Sequence, residues 1–544
     1  MMKYFFIIII PLTIGAQVTQ EWVVFYNGPM SCEDCGSAIA VGATENVYVA
    51  GYSYDINPQF PKALLLKYDS QGNERWVYRM DSFPSEFNDV ILDSLENIYV
   101  TGYLYDTAAI TMKFDSLGHI IWSRCYKPAS GRKASGKAIG LDKSGNILVT
   151  GGYFSFVTDW DMFTLKYDPD GDEIWVREFN YDSTYGFDDY AFDLVCDGSG
   201  SVYVTGTVQG WTIGTCYGTL KYDSLGNLLW CRYYDGHGWG GGGKAQAIDI
   251  DGAGNIYITG YHEDTISATN HFDYATIKYD PSGNELWVAR YNGTGNSEDR
   301  ANALVVDEFG NCYVTGYSRG DTTGDDIVTI KYDSEGNTKW IARFSSPHQP
   351  GYTLDWPHAI TLDNLGNIYV VGEMDVDSTG STYWDFCTIK YSPTGSKLWV
   401  VTFNGANNLS DGGYDIALHG SNIYVTGYSW IAPGDWDCTT IKYSQETGNN
   451  SSESEEPTTT LFVAPNPFKN RVTIGWHFKD RNEVSLRIYD ATGRLVKEFI
   501  LPTASTVISW DGRDDSGRKV GCGVYFVRLE TGDQKFTRKV LLLR

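Results

Sequence analysis

The sequence lacks the features that mark membrane-spanning, helical or nucleic-acid-binding proteins. After residue 16 no apolar run approaches the length of a membrane-spanning helix, and no long stretch has helical periodicity. Basic residues are few, 42 Lys and Arg against 68 Asp and Glu, and the net charge at pH 7 is −26. A chain this negative repels phosphate backbones and anionic lipid, so we expect neither nucleic acid nor a membrane surface as a partner.

Recognisable catalytic patterns are also missing. There is no GxSxG, no HExxH and no phosphate-binding glycine loop. The chain has eight His, and none has a nucleophile or a metal ligand at a suitable spacing. We therefore predict no catalytic residues and no organic cofactor, and we interpret the protein as a binding module.

Cysteine and metal signals are weak. Of ten scattered Cys, only Cys32 and Cys35 form a CxxC pair, which predicts a small local disulfide in an exported chain. No second ligand pair is spaced for zinc. Asp375 to Gly380 has the opening of a calcium loop, although Phe386 stands where the closing Glu belongs. The sequence therefore leaves structural calcium open.

The abundant residues favour β-structure. Aromatic residues make up 15% of the chain, with 39 Tyr and 17 Trp, and there are 59 Gly. Short runs of Tyr, Trp, Val and Thr between Gly, Asn and Asp turns predict an all-β fold. Residues 1–16 carry Lys3, an apolar stretch and a small-residue cleavage site at Gly15 and Ala16, which is typical of a signal peptide. A retained anchor is the alternative.

One pattern recurs eight times, at spacings of 46 to 59 residues. Each copy has an apolar strand ending in Asp, a turn, a segment like NIYITGY at Asn255, and a variable loop. A segment like TIKYD at Thr276, a second turn and a strand like LWVARY at Leu286 follow. Four strands in about fifty residues is the size of one β-propeller blade. We predict an eight-bladed β-propeller over residues 17–445, with seven blades as the alternative.

The fourth strand of each copy carries a Trp that we interpret as structural, because a catalytic residue is usually unique within a set of repeats. The first of these Trp precedes the first complete copy, and the last copy ends at its third strand, Thr440 to Ser444. The N-terminal strand is therefore predicted to complete the last blade, which removes an exposed sheet edge. The repeated residues are Trp22, Trp76, Trp122, Trp175, Trp230, Trp287, Trp340 and Trp399.

With its DxxGNxYVTG and TIKYDxxGNxxW segments, the repeat resembles the bacterial β-propeller repeat family, which is usually seven-bladed. This chain departs from that family in blade number. The resemblance implies a propeller fold and export, and it implies no defined reaction. The DxxGxxxW segment also resembles the Trp-docking repeat of quinoprotein dehydrogenases, a likeness in Trp packing that does not require a quinone site.

Strand order places the short turns on one face of the propeller and the variable loops on the other. Binding residues tend to lie on variable loops that a rigid scaffold holds, and exposed Trp can stack on sugars or anchor protein partners. We therefore predict a glycan- or protein-binding face; the alternative is that these rings only pack the loops. Seven Trp fall in this region: Trp160, Trp211, Trp239, Trp356, Trp384, Trp430 and Trp436. Four His lie near the same face: His262, His271, His348 and His358.

The C-terminal part has a different composition. Residues 446–459 form a polar, acidic linker, and residues 460–544 alternate strands with Gly and Asp turns, which predicts a small Ig-like β-sandwich. From Leu461 onward there are 15 Lys and Arg against 9 Asp and Glu. The region resembles the flagellar hook-cap Ig-like domain and the C-terminal sorting domain of type IX secretion cargo. The matching residues are Pro465 to Phe468, Asp490 to Arg494, Trp510 to Gly512 and Gly523 to Tyr525.

The resemblance of the tail implies recognition by the secretion machinery; a plain Ig-like accessory domain is the alternative. Together these observations predict a secreted or outer cell-surface, non-catalytic propeller that binds glycan or protein through its variable loops. Two other classes stay open. One is a secreted propeller enzyme, polysaccharide-degrading or quinoprotein-like, and the other is a structural surface or adhesive protein.

Overall fold

Short runs of β-branched and aromatic residues between tight turns form strands throughout the chain. The computed structural model has an all-β architecture, with no helix among the described residues. None of the described residues therefore forms a helix that could span a membrane. The described residues are 18–29, 31–55, 60–105, 107–128, 131–156, 158–182, 186–211, 213–236, 242–264, 271–346, 354–375, 383–405, 407–432, 434–445, 460–464, 472–477, 484–499, 507–531 and 534–543.

Four predictions lie outside these residues: the signal peptide, the linker 446–459, the Pro465 to Phe468 segment, and all of the candidate calcium loop after Asp375. The chain divides into two compact units, Met1–Gly448 and Asn449–Arg544.

The first unit contains eight antiparallel sheets of four strands each, numbered here 1 to 8 along the chain. Sheets 1 to 7 take four consecutive strands each, from β2–β5 to β26–β29, and sheet 8 consists of β30, β31, β32 and β1. The strands are β1 (Val18–Tyr26), β2 (Asp34–Val41), β3 (Val47–Tyr54), β4 (Pro61–Tyr68), β5 (Glu74–Arg79), β6 (Ser85–Leu92), β7 (Ile98–Leu104), β8 (Ala108–Phe114), β9 (Ile120–Tyr126), β10 (Gly131–Leu141), β11 (Ile147–Ser155), β12 (Asp159–Tyr167), β13 (Glu173–Phe179), β14 (Tyr190–Cys196), β15 (Val202–Gly210), β16 (Gly214–Tyr222), β17 (Leu228–Tyr234), β18 (Gly243–Ile250), β19 (Ile256–Asp264), β20 (His271–Tyr279), β21 (Glu285–Tyr291), β22 (Asp299–Val306), β23 (Cys312–Arg319), β24 (Asp325–Tyr332), β25 (Thr338–Phe344), β26 (Trp356–Leu362), β27 (Ile368–Asp375), β28 (Trp384–Tyr391), β29 (Lys397–Phe403), β30 (Asp411–His419), β31 (Asn422–Ala432) and β32 (Asp435–Gln445).

Sheet 8 joins the beginning and the end of the first unit. Strand β1 runs antiparallel to β32, with Val18 opposite Gln445. The first strand of each sheet contacts the first strand of the next, and β30 contacts β2, so these strands form a closed inner circuit. Asp415 on β30 accepts the backbone N–H of Ile39 on β2 at 2.8 Å, which links sheet 8 to sheet 1.

The repeated Trp residues join neighbouring sheets. The indole N–H of Trp76 in sheet 1 donates to the carbonyl of Ser116, in the last turn of sheet 2, at 3.3 Å. The ammonium of Lys67 donates to the same carbonyl at 2.6 Å. A Cβ at Gly118 would lie 2.8 Å from the Trp76 ring, and Gly118 has a φ of 88°, so this turn position requires glycine. Equivalent indole bonds are made by Trp22, Trp122, Trp175, Trp230, Trp287 and Trp340.

Trp399 in sheet 7 is the exception. Its indole N–H is buried and has no hydrogen-bond acceptor among the described residues. The reason is topological, because sheet 8 takes its fourth strand from the N-terminus and so has no hairpin between its third and fourth strands. The ammonium of Lys390 donates to the side-chain oxygen of Gln445 at 2.7 Å. The equivalent Lys67 of sheet 1 donates to a turn carbonyl of sheet 2 instead.

The second unit contains two antiparallel sheets. One has three strands in the order β33-β34-β37, and the other has four in the order β36-β35-β38-β39. Buried side chains from both sheets, including Ile474, Ile488 and Trp510, form its core. The strands are β33 (Thr460–Ala464), β34 (Val472–His477), β35 (Val484–Asp490), β36 (Leu495–Phe499), β37 (Val507–Trp510), β38 (Gly523–Thr531) and β39 (Gln534–Leu542).

Candidate functional site

The two ends of the sheets differ in the connections they carry. At one end, here called the turn face, short turns join first to second strands in all eight sheets and third to fourth strands in sheets 1 to 7. Many of these turns have the sequence DxxGN. Asp69 closes one such turn by accepting the backbone N–H of Gln71 at 2.9 Å and of Asn73 at 2.8 Å. The opposite end, here called the loop face, carries the other connections. Because these vary in length and sequence between sheets, the loop face is where a specific site is expected.

Five of the seven Trp predicted to bind ligand lie in strands, which corrects the expectation that all are in loops. Four of them lie in second and third strands, which stay paired almost to the tip of their hairpin, as Trp430 opposite Trp436 illustrates. The fifth, Trp356, begins the first strand of sheet 7. Trp211 lies outside the strands, between β15 and β16, and is 75% exposed. Trp239 lies outside the described residues. The five in strands are Trp160, Trp356, Trp384, Trp430 and Trp436.

At the loop face, the first and second strands of every sheet meet in one cross-strand pair at the same register position. These eight pairs, one in each sheet, are called the mouth ring here. The pairs, from sheet 1 to sheet 8, are Cys35–Tyr52, Glu86–Tyr103, Ser135–Gly152, Tyr190–Thr207, Lys244–Tyr261, Arg300–Tyr317, Trp356–Glu373 and Gly412–Tyr428.

Two residues after each pair, a β-bulge leaves one residue of the first strand without a partner in the ladder. Bulges of this kind redirect a side chain and are common beside functional sites. The bulge residues, from sheet 1 to sheet 8, are Ser37, Asn88, Lys137, Phe192, Gln246, Asn302, His358 and Tyr414.

Three residues from the mouth ring and the bulges come together between sheets 7 and 8. Glu373 occupies a mouth-ring position that is Tyr in five sheets, Gly412 removes the side chain from another, and His358 is the only imidazole among the bulge residues. The Nε2 of His358 lies 3.2 Å from Oε1 of Glu373. A Cβ at position 412 would lie 2.7 Å from that same oxygen, so the carboxylate fills the space that Gly412 leaves. We call these three residues the recess.

Aromatic rings surround the recess on both sides. From sheet 8, Trp430 lies 5.7 Å from Trp436, and Trp436 lies 5.1 Å from Tyr428, centroid to centroid. Tyr428 leads on to Tyr414 at 5.5 Å, and the Tyr414 ring meets the edge of His358 at 5.0 Å. A continuous row of rings therefore runs from the rim to the imidazole.

On the other side, Trp356 stacks on Trp384 with centroids 5.8 Å apart and planes 28° apart. Trp356 also contacts Tyr317 of sheet 6 at 6.1 Å. Four of the seven predicted Trp thus flank one recess. Trp160 lies apart from it in sheet 3, packed on Tyr190 at 4.9 Å.

Burial keeps the phenols of Tyr414 and Tyr428, which lie beside the recess, protonated. Desolvation, and after it the nearby Cys35 and Glu373, raise the pKa of Tyr414 far above its usual range. Desolvation and then Glu373 do the same to the pKa of Tyr428. Both hydroxyls therefore remain hydrogen-bond donors at neutral pH, beside a carboxylate that accepts. The recess can donate to and accept from a polar ligand while its walls stay apolar.

Two buried carboxylates lie beside the site, at the same junction of sheets 7 and 8. Burial, and then the charge of Asp411, raise the pKa of Asp385 to about 8. Burial raises the pKa of Asp411 to about 7, although the backbone N–H of Gly405 donates to it at 2.6 Å. In the part of the chain that the structure describes, no three His, Cys, Asp or Glu side chains are grouped to hold a metal ion.

All ten Cys are free thiols in the structure. Cys35 is buried, and desolvation raises the pKa of its thiol. The disulfide between Cys32 and Cys35 stays a prediction for the oxidised, exported protein.

Sequence reasoning named His358 near the loop face but missed Glu373 and Gly412. The available signal was a departure from the repeat, since VVGEMD in the seventh copy replaces the VTGY of most others. Gly412 carries no such signal, because only the register of sheet 8 shows that it stands where other sheets have a side chain.

Comparison with known families identifies two parts of the chain. Residues 462–543 match the secretion system C-terminal sorting domain, and residues 339–373 match the β-propeller repeat. The protein is therefore secreted or displayed on the cell surface, and its sorting domain implies interaction with the type IX secretion machinery. No curated protein matches the chain.

Several solved structures resemble the chain at low identity. PorZ, a surface component of the type IX secretion system of Porphyromonas gingivalis, is 15% identical over 92% of this chain and 68% of its own, with a TM-score of 0.39. The polysaccharide lyase Uly1 is 11% identical over 79% of this chain and 100% of its own, with a TM-score of 0.40. The WD40 domain of SCAP from fission yeast is 9% identical over 78% and 98%, with a TM-score of 0.36. At these sequence identities and TM-scores, the similarity does not indicate a function.

Proposed function

We propose that this protein is an exported eight-bladed β-propeller that binds a glycan at the recess between sheets 7 and 8. The observation that carries the proposal is the convergence of Glu373, which replaces the Tyr found in five sheets, with His358 and Gly412 between two pairs of indole rings. Residues repeated in most sheets maintain the framework, so a departure in this setting supports a specific ligand.

The chemistry of the recess fits a sugar ring. Indole faces pack against the apolar C–H face of a sugar, and they contribute large contact areas at low conformational cost. The Glu373 carboxylate accepts hydrogen bonds from hydroxyl groups, and such charge-assisted bonds are the stronger kind. The phenols of Tyr414 and Tyr428 supply donors. A protein partner is the second candidate, because indole rings also anchor protein partners.

The architecture supports an eight-bladed propeller and an Ig-like tail. Eight four-stranded sheets follow one another, and their first strands form a closed circuit. In the second unit, a three-stranded and a four-stranded antiparallel sheet share one core, as in a small Ig-like sandwich. The N-terminal signal peptide is proposed on its sequence alone.

A glycan array with the purified protein, with and without calcium, tests the binding proposal. We expect binding to a restricted set of glycans, lost in Glu373→Gln and in Trp436→Ala. Trp160→Ala is the matched control, since this Trp also contacts a mouth-ring Tyr but lies in sheet 3. An array without any glycan signal contradicts the proposal, and so does glycan binding that both Glu373→Gln and Trp436→Ala retain.

The same glycans test the enzymatic alternative. A protein that only binds leaves the polysaccharide intact after long incubation, and we expect no new reducing ends and no unsaturated products. Release of either product in the unmodified protein but not in His358→Gln would establish an enzyme instead. Self-assembly without any soluble ligand would favour a structural surface protein.

A further inference from the structure

Two cationic side chains stand next to each other in the mouth ring, although the first unit is strongly acidic. Outside the C-terminal region and Lys3, the chain has 26 Lys and Arg against 59 Asp and Glu. Lys244 in sheet 5 and Arg300 in sheet 6 nevertheless occupy the same register position, paired with Tyr261 and Tyr317. A pair of like charges at adjacent equivalent positions destabilises a fold unless something offsets the repulsion.

Arg300 is held in one orientation. Its guanidinium carbon lies 4.7 Å from the ring centres of both Tyr261 and Phe272. The Nη2 and Nε atoms of Arg300 lie 2.9 Å and 3.0 Å from the same carboxylate oxygen of Glu298. A guanidinium fixed by two rings and a carboxylate loses little freedom when it binds a further anion.

Lys244 is the opposite case. Its side chain is exposed, and no ion pair or hydrogen bond joins its ammonium to another described residue. An exposed ammonium next to an oriented guanidinium is a combination suited to a carboxylate or sulfate group.

The pair adjoins the recess. Tyr317, the cross-strand partner of Arg300, contacts Trp356 at 6.1 Å, and Trp356 is the partner of Glu373. A sugar stacked on Trp356 therefore has Arg300 on its sheet 6 side. The negative charge of the rest of the unit acts weakly at this place, because salt at physiological strength screens charges over about 8 Å.

Resting on the glycan-binding function proposed above, we infer that Lys244 and Arg300 form a subsite for an acidic substituent, so that the ligand is an anionic glycan. Net charge alone favours neutral sugars, and the local arrangement of the mouth ring reverses that preference. The shared chemistry is a carboxylate or a sulfate on the sugar.

The test is calorimetric titration of the full chain with three oligosaccharides of equal length: oligogalacturonate, a sulfated dextran fragment and a neutral dextran fragment. We expect at least one anionic probe to bind about tenfold or more tightly than the neutral one. Arg300→Gln and Lys244→Gln should each remove most of this advantage and leave the affinity for the neutral probe unchanged. Whichever anionic probe binds more tightly identifies the substituent.

Arg232→Gln is the matched control. Its guanidinium also lies over an aromatic ring, 5.4 Å from Trp230. Arg232 is in the fourth strand of sheet 4, however, whereas the mouth ring is formed by first and second strands. It should not alter any of the three affinities. Lys244 is exposed, so its substitution should change the folding free energy by less than about 0.5 kcal/mol, which thermal unfolding of the variant checks.

Two results would overturn the inference. Equal affinity for neutral and anionic probes would show that no acidic subsite exists, while the glycan-binding proposal would still stand. An anionic preference that survives both Arg300→Gln and Lys244→Gln would place the subsite elsewhere. Absence of binding to all three probes and to the array overturns both proposals together.

Discussion

Gly412 and Glu373 share one space at the loop face, since a Cβ on residue 412 would meet the carboxylate oxygen at 2.7 Å. The residues are far apart in sequence and belong to different sheets. Their contact brings a buried carboxylate to the mouth of the inner circuit and places it beside His358. This relationship gives the first prediction.

Gly412→Ala should abolish or strongly weaken glycan binding while costing about 1 kcal/mol of folding free energy, the low end of the usual range for overpacking a buried site. The new methyl group would lie 2.6 Å from the Tyr428 ring and 2.7 Å from the Glu373 carboxylate. The carboxylate ends a flexible side chain, so it can move aside, and this movement disrupts the recess. Titration calorimetry and thermal unfolding measure the two effects.

Gly102→Ala provides the contrast. A Cβ there would lie 1.9 Å from the backbone oxygen of Glu86, which cannot move without distorting the sheet. Destabilisation of about 2–3 kcal/mol is expected. If Gly412→Ala were the more destabilising of the two, the account of the recess would be wrong.

The indole hydrogen bonds between sheets can be measured with one pair of variants. Trp340→Phe removes the N–H that donates to the carbonyl of Pro393 at 3.1 Å, and we expect a loss of about 1 kcal/mol beyond the change in ring size. Trp399→Phe removes an N–H without an acceptor among the described residues. It should lower the free energy of unfolding in chemical denaturation by less than Trp340→Phe does. Equal losses would contradict the missing hydrogen bond of Trp399 between sheets 7 and 8.

The strand that completes sheet 8 should be essential for stability. Trp22 is half-buried and donates to the carbonyl of Ser70 in sheet 1 at 3.1 Å, so Trp22→Ala should cost about 2–3 kcal/mol, below the range for a fully buried Trp. Trp211→Ala, at a site 75% exposed, is the control and should leave the melting temperature unchanged. Deletion of residues 18–27 should unfold most of the first unit, and an unaltered melting temperature in that deletion would refute the closure.

Stability should fall as the pH rises from about 4 to about 8. Burial and Asp411 raise the pKa of Asp385 from its ordinary value of 3.8 to about 8. The folded state therefore binds a proton that the unfolded state has lost, and this contribution is complete below pH 4 and is lost as the pH rises through 8. Asp411, with its pKa near 7, acts in the same direction.

Asp385→Asn should make this dependence shallower without removing it, because the amide stays neutral in both states while other buried carboxyls with a raised pKa, such as those of Asp193 and Asp355, still titrate. The melting temperature of each variant, followed from pH 5 to pH 8.5, measures the slopes. Asp172→Asn is the control, since its carboxylate is 82% exposed and should leave the slope unchanged. A slope that Asp385→Asn leaves as steep as before would show that Asp385 does not contribute to it.

Local sequence was enough to predict the framework. The Asp, Gly and Asn of each turn act within five residues, as the bonds of Asp69 to Gln71 and Asn73 show. Strand alternation and the repeated Trp likewise recur in each copy, so the repeat could be recognised without any structure. The sorting domain was recognised in the same way, from motifs that lie close together in the chain.

The recess could not be predicted because its parts come from different sheets. Which residue of sheet 8 faces Glu373 depends on the register between β30 and β31 and on the bulge that follows Gly413. The extension of the β31–β32 pairing to Trp430 and Trp436 depends on packing at the hairpin tip, which the loop sequence does not reveal. The strands, the turns and the structural Trp of the repeat follow from the amino-acid sequence alone, since those interactions are local or repeated. The meeting of Glu373, His358 and Gly412 follows from how neighbouring sheets pack against one another, which requires the folded structure.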